Sequence, residues 1–283
     1  MMDKRLIINA DDFGLSKGVN KGIVEAHTKG VLTSATIMVN MPAAEQAVEL
    51  TKKLPNLGVG VHLNLTNGKP VSRDQSVKLL LNTEGNFGLS AGKLALASLV
   101  TGKVRAAIEA ELSAQIQWVI ERGIKPTHLD SHKHIHAFPL IFRIVCRLAK
   151  RLGIPAIRYA YEPKQVCRPP WPFTDRDGRK RASLVRTMAK ITRWQNRSFF
   201  RTDALFGVAH TGKINPTFLR AVALYNQAAT AELMTHPGYT YDLDATQTRL
   251  VKQREVELEV LCSEKTKQCF KDAGVKLVHY GRL

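Results

Sequence analysis

No stretch of this chain approaches the roughly 18–20 consecutive apolar residues that a membrane-spanning helix requires. The N-terminus lacks the basic-then-apolar layout of a secretory signal, so a cytoplasmic protein is expected. Cysteine is scarce: there are four in 283 residues. None of Cys146, Cys167, Cys262 and Cys269 forms a C-x-x-C pair, which speaks against a disulfide framework and fits a reducing compartment. Internal repeats and low-complexity tracts are missing as well, which excludes solenoid and fibrous architectures. Acid is the other shortage. Against 42 Lys and Arg there are 24 Asp and Glu, a formal net charge of +18.

Half of that excess is local. Between Lys164 and Arg201 stand eleven basic residues (Lys164, Arg168, Arg176, Arg179, Lys180, Arg181, Arg186, Lys190, Arg193, Arg197, Arg201) against Asp175 and Asp177, a net +9. Such a segment attracts polyanions, whether nucleic acid or an anionic lipid surface, or it is simply a solvated basic helix. With 44% hydrophobic residues the chain can bury a full core. It reads as one domain over 1–283, with about 165–201 as a basic, aromatic-containing insertion.

Strand and helix signals alternate along the chain. Strands are predicted at Leu6–Ala10, Ser34–Val39, Val59–Leu63, Thr127–Leu129, Ala156–Arg158, Ala204–Val208, Ala231–Met234 and Lys276–His279. Helices are predicted at Val19–Lys29, Ala43–Lys53, Ala106–Arg122, Leu140–Leu152, Thr217–Ala228 and, as one long final element, Thr246–Ala273. Gly30, Gly123 and Gly153 end three of them, and Pro42, Pro139 and Pro216 open three. Seven or eight β-α units argue for an α/β fold with a parallel (βα) barrel, TIM-barrel-like, and the basic insertion follows its fifth strand.

Polar residues gather where those strands end, which is where α/β barrels carry their chemistry. Asp11-Asp12 follows Leu6-Ile7-Ile8 directly. Two like charges at a strand exit repel one another unless a cation lies between them or one holds a proton, so a metal ligand beside a base fits the pair. Asn40 follows the second strand and His62 ends the third. The fourth runs into His128-Leu129-Asp130-Ser131-His132-Lys133-His134-Ile135-His136. If that segment is extended, alternate residues His128, Asp130, His132, His134 and His136 share a side. They cannot all bind one ion; a three-ligand site needs one carboxylate and two histidines from separate loops, the rest orienting those ligands or binding substrate. Arg158 ends the fifth strand, as a surface arginine or as a partner that holds Asp11 ionised. His236, in His236-Pro237-Gly238, ends the seventh and reads as catalytic. His27, His210 and His279 read as structural.

Asn9-Ala10-Asp11-Asp12-Phe13-Gly14, with Ser16 and Gly18 behind, resembles the N-terminal signature of the YdjC-like (ChbG/HpnK) carbohydrate deacetylases. Gly60-Val61-His62-Leu63, the His128–His136 segment and His236-Pro237-Gly238 resemble that family's later motifs, in order. The resemblance implies a distorted barrel that hydrolyses an N-acetyl group from an amino sugar with one divalent metal, Mg2+ or Zn2+; the ligand set suits zinc better on softness. It further implies Asp12, His62 and His132 as metal ligands, Asp11 as general base and His236 as general acid. Asp130, His128, His134, His136, Arg158 and Asn40 would bind substrate or support those residues.

Some members of that family resemble chitooligosaccharide deacetylases and others a hopanoid-pathway enzyme acting on a lipid-linked N-acetylglucosamine. Phe206-Gly207-Val208-Ala209-His210-Thr211-Gly212 and Tyr161-Glu162-Pro163 are closer to the second type. The basic insertion, with Trp171, Phe173, Trp194, Phe199 and Phe200, would suit docking at an anionic membrane, placing the protein peripherally at the inner membrane surface. The partners expected are thus an N-acetylated amino sugar, an anionic membrane surface and a second copy in a homodimer, but not nucleic acid. Two rival readings exist: a metal-dependent phosphoesterase or nuclease, which would want more carboxylates, and a non-enzymatic polyanion binder, which leaves the strand-end residues without purpose.

Overall fold

The structure, a computed structural model, describes residues 4–195, 197–243 and 248–283. In chain order its main elements are β1 (Lys4–Phe13), α1 (Lys17–Thr28), β2 (Ser34–Ile37), α2 (Ala44–Thr51), β3 (Gly58–Leu63), α3 (Ala91–Val100), α4 (Gly102–Glu121), β4 (Leu129–Ser131), α5 (Pro139–Arg151), α6 (Arg176–Thr192), β5 (Ala204–Phe206), α7 (Pro216–Tyr225), β6 (Thr230–Thr235), α8 (Lys252–Cys262), α9 (Glu264–Asp272) and β7 (Val275–Leu277). All strand pairs are parallel, in the order β4-β3-β2-β1-β6-β5, with β7 pairing the start of β1. Leu6, Ile7 and Ile8 are fully buried, as a central parallel strand covered on both faces must be.

The sheet curls into a distorted barrel, and an irregular segment spans its two edges. Leu129 N–H donates to Ala156 O and Arg158 N–H to Leu129 O on the β4 side; on the other, Leu205 N–H of β5 donates to Tyr161 O. The strand expected at Ala156–Arg158 is thus reduced to single bridges, to Leu129 and to Phe200. The basic segment that follows it holds α6, capped by Asp175, whose side chain accepts from Gly178 N–H.

The helix starts follow their local chemistry. Ser16 caps α1 by accepting from Val19 N–H, Pro139 opens α5, and Asn215 with Pro216 opens α7. α4 begins at Gly102 rather than Ala106, because Thr101 supplies the cap. The long final helix is two: the chain breaks at Ser263, whose extended ψ of 133° separates α8 from α9. Its expected start at Thr246 lies outside the described residues. α3 had no counterpart in the sequence reading. Two glycines set close approaches. A Cβ on Gly22 would lie 2.5 Å from Gly238 Cα, so α1 packs backbone to backbone on the loop after β6, and a Cβ on Gly60 would lie 2.5 Å from the His128 ring.

Candidate active site

In a regular strand Asp11 and Asp12 would point to opposite faces. Instead the β1–β2 register shifts between Ala10 and Phe13, and Asp12 takes a left-handed φ of 65°. A bulge of this kind re-aims side chains, and it turns both carboxylates toward one cleft of about 870 Å³. The non-glycine residues with positive φ among those described are Asp12, Lys133 and His134, all of which line that cleft. Backbone strain is concentrated at the site.

Asp12 Oδ1 lies 3.4 Å from His62 Nε2 and 3.3 Å from His132 Nδ1. It is buried and accepts no hydrogen bond among the described residues. Behind it, His62 Nδ1–H donates to Asp130 Oδ1 at 2.8 Å, and Thr36 Oγ1 donates to Asp130 Oδ2 at 3.1 Å. That bond fixes the ring so that Nε2 presents its lone pair inward, the arrangement of a carboxylate–histidine–metal relay. The other Asp12 oxygen, Oδ2, is held at 2.6 Å by Arg254. Burial would raise Asp12, but Arg254 and the two imidazoles outweigh it and hold the carboxyl well below its usual range.

Arg158, fully buried, is the hub beside this group. It grips Asp11 through two bonds, Nη1 to Oδ2 at 2.8 Å and Nη2 to Oδ1 at 2.6 Å. It also meets Asp130 Oδ2 at 2.8 Å and Glu232 Oε1 at 2.7 Å. Asn9 adds a donor to Asp11 Oδ1 at 2.9 Å. Burial acts to raise Asp11, and Arg158 reverses that, leaving the carboxyl far below its ordinary value. Four carboxylates (Asp11, Asp12, Asp130, Glu232) thus gather around two guanidiniums, those of Arg158 and Arg254, a surplus of acidic groups that suits a cation. The imbalance also appears in His62. Burial acts to lower it, yet Asp130 and the paired aspartates push it up to about 9. A cation held by Asp12, His62 and His132 would replace that proton, as metal binding to such ligands does. The residues therefore fit a divalent metal.

Of the other expected site residues, His134 lines the cleft, its buried Nδ1 unpartnered among the described residues. His236 lines it too, at a backbone fixed by its N–H donating to Glu257 at 2.6 Å; burial lowers its ring to about 4 despite Asp11 and Asp12. The alternating reading of His128–His136 fails beyond β4. The chain turns there, with φ of 54° and 52° at Lys133 and His134, so the histidines diverge. His128 lies below the cleft, stacked on Tyr280 at 4.0 Å. His136 is tied to the Ser131 hydroxyl. Asn40 donates to Asn67 O at 2.8 Å and Lys69 O at 2.9 Å; it shapes the loop whose Thr66 and Asn67 line the cleft. Sequence reasoning missed Arg254, Glu257, Glu232 and Tyr280, whose hydroxyl donates to Glu232.

Asp130→Asn should leave the fold in place and weaken divalent-metal affinity about 10–100-fold, because the imidazole loses its charged orienting partner. Metal titration of the purified variant reads this directly. The metal-free protein should also show a stability maximum near pH 6.5. His134 at about 3 and His236 at about 4 bind fewer protons folded than unfolded, so stability rises with pH up to their ordinary value of about 6.5. His128 and His136, held well below the usual imidazole range by burial, add to that rise. Glu162 and Glu257, each pushed up to about 7 by burial, offset part of it. His62, pushed up to about 9, binds a proton more when folded, so its contribution is lost as pH rises from about 6.5 through 9. Urea midpoints between pH 5 and 8 test the sign on both sides.

An α/β barrel whose strand ends gather one carboxylate, two imidazoles and a second, arginine-held carboxylate defines a class: barrel proteins with a donor set that could hold a metal ion. A sequence model of the family described as YdjC-like protein matches residues 5–272, and the chain belongs to that family. It is 40% identical over 279 residues to a carbohydrate deacetylase of Brevibacillus brevis (strain 47), covering 99% of each chain. It is 35% identical over 278 residues to a chitooligosaccharide deacetylase of Salmonella paratyphi B, covering 97% of each. A solved structure from Enterococcus faecalis V583, described as a candidate cellobiose-phosphate cleavage protein, superposes with a TM-score of 0.77 at 25% identity, covering 99% of this chain and 98% of that one.

Proposed function

We propose that the protein is a metal-dependent carbohydrate N-deacetylase that releases acetate from an N-acetylglucosamine-containing sugar. The observation that carries this reading is the unpartnered Asp12 Oδ1 facing His62 Nε2 and His132 Nδ1 beside Asp11, in a chain that matches deacetylases along its whole length.

Asp12, His62 and His132 would hold the cation. When bound, it supplies Lewis acidity, polarising the acetyl carbonyl and making an attacking water more acidic. Asp11, oriented by Arg158 and kept ionised, accepts the water's proton at a carboxylate oxygen. His236 protonates the amine nitrogen as its bond to the acetyl carbon breaks. Burial lowers the His236 ring to about 4, so it begins neutral, and the proton it gives the amine is the one Asp11 has taken from the attacking water. His134 and Lys133 border the cleft where sugar hydroxyls would lie.

The two segments that suggested a lipid-linked sugar prove to be joined to each other. Glu162 accepts the backbone N–H groups of Gly207, Val208 and Ala209 at 2.7–3.1 Å, a structural staple, and of the two segments Thr211 lines the cleft. A soluble chitooligosaccharide is therefore the substrate to test first. Metal-loaded protein should release acetate from it, and a chelator should stop the reaction. Cleavage of phosphate esters or nucleic acid without acetate release would replace this reading with the phosphoesterase one.

A further inference from the structure

Two helices rise from the rim of the catalytic cleft, and both carry apolar side chains into solvent. α3 lines the cleft with Ala91 and Gly92; along the same helical stripe, at i+4 and i+7 from Gly92, stand Leu96 and Leu99, 62% and 64% exposed, with Val100 beside them. α6 lines the cleft with Arg181, Leu184, Val185 and Met188. Its outer stripe continues from Leu184 through Met188 to Ile191, and Trp194 follows at 66% exposure. Contiguous apolar surface of this kind on both sides of one opening is uncommon on a protein whose function does not use it.

The charge along the two stretches of chain that carry these stripes has one sign. No acidic residue occurs between Glu84 and Glu109 or between Asp177 and Asp203, whereas Lys93, Lys103 and Arg105 flank the first stripe and Lys180, Arg181, Lys190, Arg193 and Arg197 flank the second. Arg197 lies over the Trp194 ring, 3.4 Å from its centroid. Not every aromatic of the basic segment takes part: Trp171 is buried against Phe206 at 5.3 Å, and Phe199 packs on the core. No described helix is long and apolar enough to cross a membrane.

We propose that the α3–α6 rim is a docking face for an anionic lipid bilayer, with Leu96, Leu99, Ile191 and Trp194 entering the headgroup region and the lysines and arginines meeting lipid phosphates. Exposed apolar side chains on two stretches of chain that carry cations and no carboxylate match that partner. A nucleic acid would be met by the same charge, but the aliphatic side chains Leu96, Leu99, Val100 and Ile191 offer it nothing to pair with or stack on. The proposal goes beyond the deacetylase reading, since the face presents the cleft mouth to a membrane whatever sugar enters it.

The test is co-sedimentation of the full-length protein with phosphatidylcholine vesicles, with and without about one-third phosphatidylglycerol. Binding should require the anionic lipid and fall as salt is raised. Leu99→Asp with Ile191→Asp, two exposed positions outside the cleft, should weaken it about tenfold or more while acetate release from a soluble chitooligosaccharide stays unchanged. That last measurement separates misfolding from lost docking, and failure of the deacetylase reading from failure of this one. Equal binding to neutral vesicles, no binding to either, or binding to duplex DNA in place of vesicles would overturn the proposal. So would a dimer that the same double substitution dissociates, which would make the face an interface between copies.

Discussion

Asp11→Ala is expected to lower turnover of an N-acetylated chitooligosaccharide by about 10²–10⁴-fold, the usual contribution of a positioned general base, while leaving metal affinity close to that of the parent. The two halves of that expectation come from different contacts. Asp12, not Asp11, shares its oxygen with His62 and His132 at 3.3–3.4 Å. Both Asp11 oxygens are instead committed to Arg158, and one also to Asn9. Such a carboxylate can take a proton from water, yet it is poorly placed to give up its arginine for a cation. Removing it leaves Arg158 with Asp130 and Glu232, so the fold should survive. Asp11→Asn is the stricter version, because the amide keeps the size of the side chain and cannot act as a base. If either variant loses the metal along with its activity, Asp11 is a ligand and the roles assigned to the pair must be exchanged.

The pair was visible in the sequence, but the means by which it works was not. Leu6-Ile7-Ile8 before two aspartates marks a buried strand and a polar exit, and that is what β1 is. A regular strand would send the two carboxylates to opposite faces. Only the bulge and the left-handed backbone of Asp12 bring them together, and no residue type at this position announces that conformation. The His128–His136 segment misled for the same reason: its period of two is a property of extended chain, and the chain stops being extended at His132. α8 hid its role differently. Lys252-Gln253-Arg254-Glu255-Val256-Glu257 reads as a solvated face, yet Arg254 and Glu257, one turn apart, are buried. They hold Asp12 and the backbone of His236 respectively. Long-range burial of that sort leaves no local trace. Glu232 did leave one. A carboxylate between Ala231 and Leu233, in a strand buried on both faces, demands a cationic partner, and Arg158 was already a candidate.

The largest effect on stability should come from Arg158→Met. Arg158 has no exposed surface and contacts three buried carboxylates within 2.8 Å. Burying an arginine among acids is a poor source of net stability, but deleting it strands the acids. The loss expected from removing one partner of a buried ion pair is about 3–5 kcal/mol; three stranded partners put Arg158→Met at the top of that range or beyond. A whole domain commands only about 5–15 kcal/mol, so the variant should unfold at a much lower urea concentration and express largely as insoluble protein. Lysine retains the charge without the planar fork that reaches Asp11, Asp130 and Glu232 together, so Arg158→Lys should recover only part of the loss. The pH dependence distinguishes stranded charge from simple loss of packing. Without the guanidinium, burial raises the folded-state pKa of Asp11 and Glu232 above their unfolded values. The variant is then relatively more stable at low pH and loses that stability as pH rises through the raised values. The gap to the parent protein should therefore narrow between pH 7 and pH 5, whereas a gap independent of pH would show that Arg158 acts by filling space.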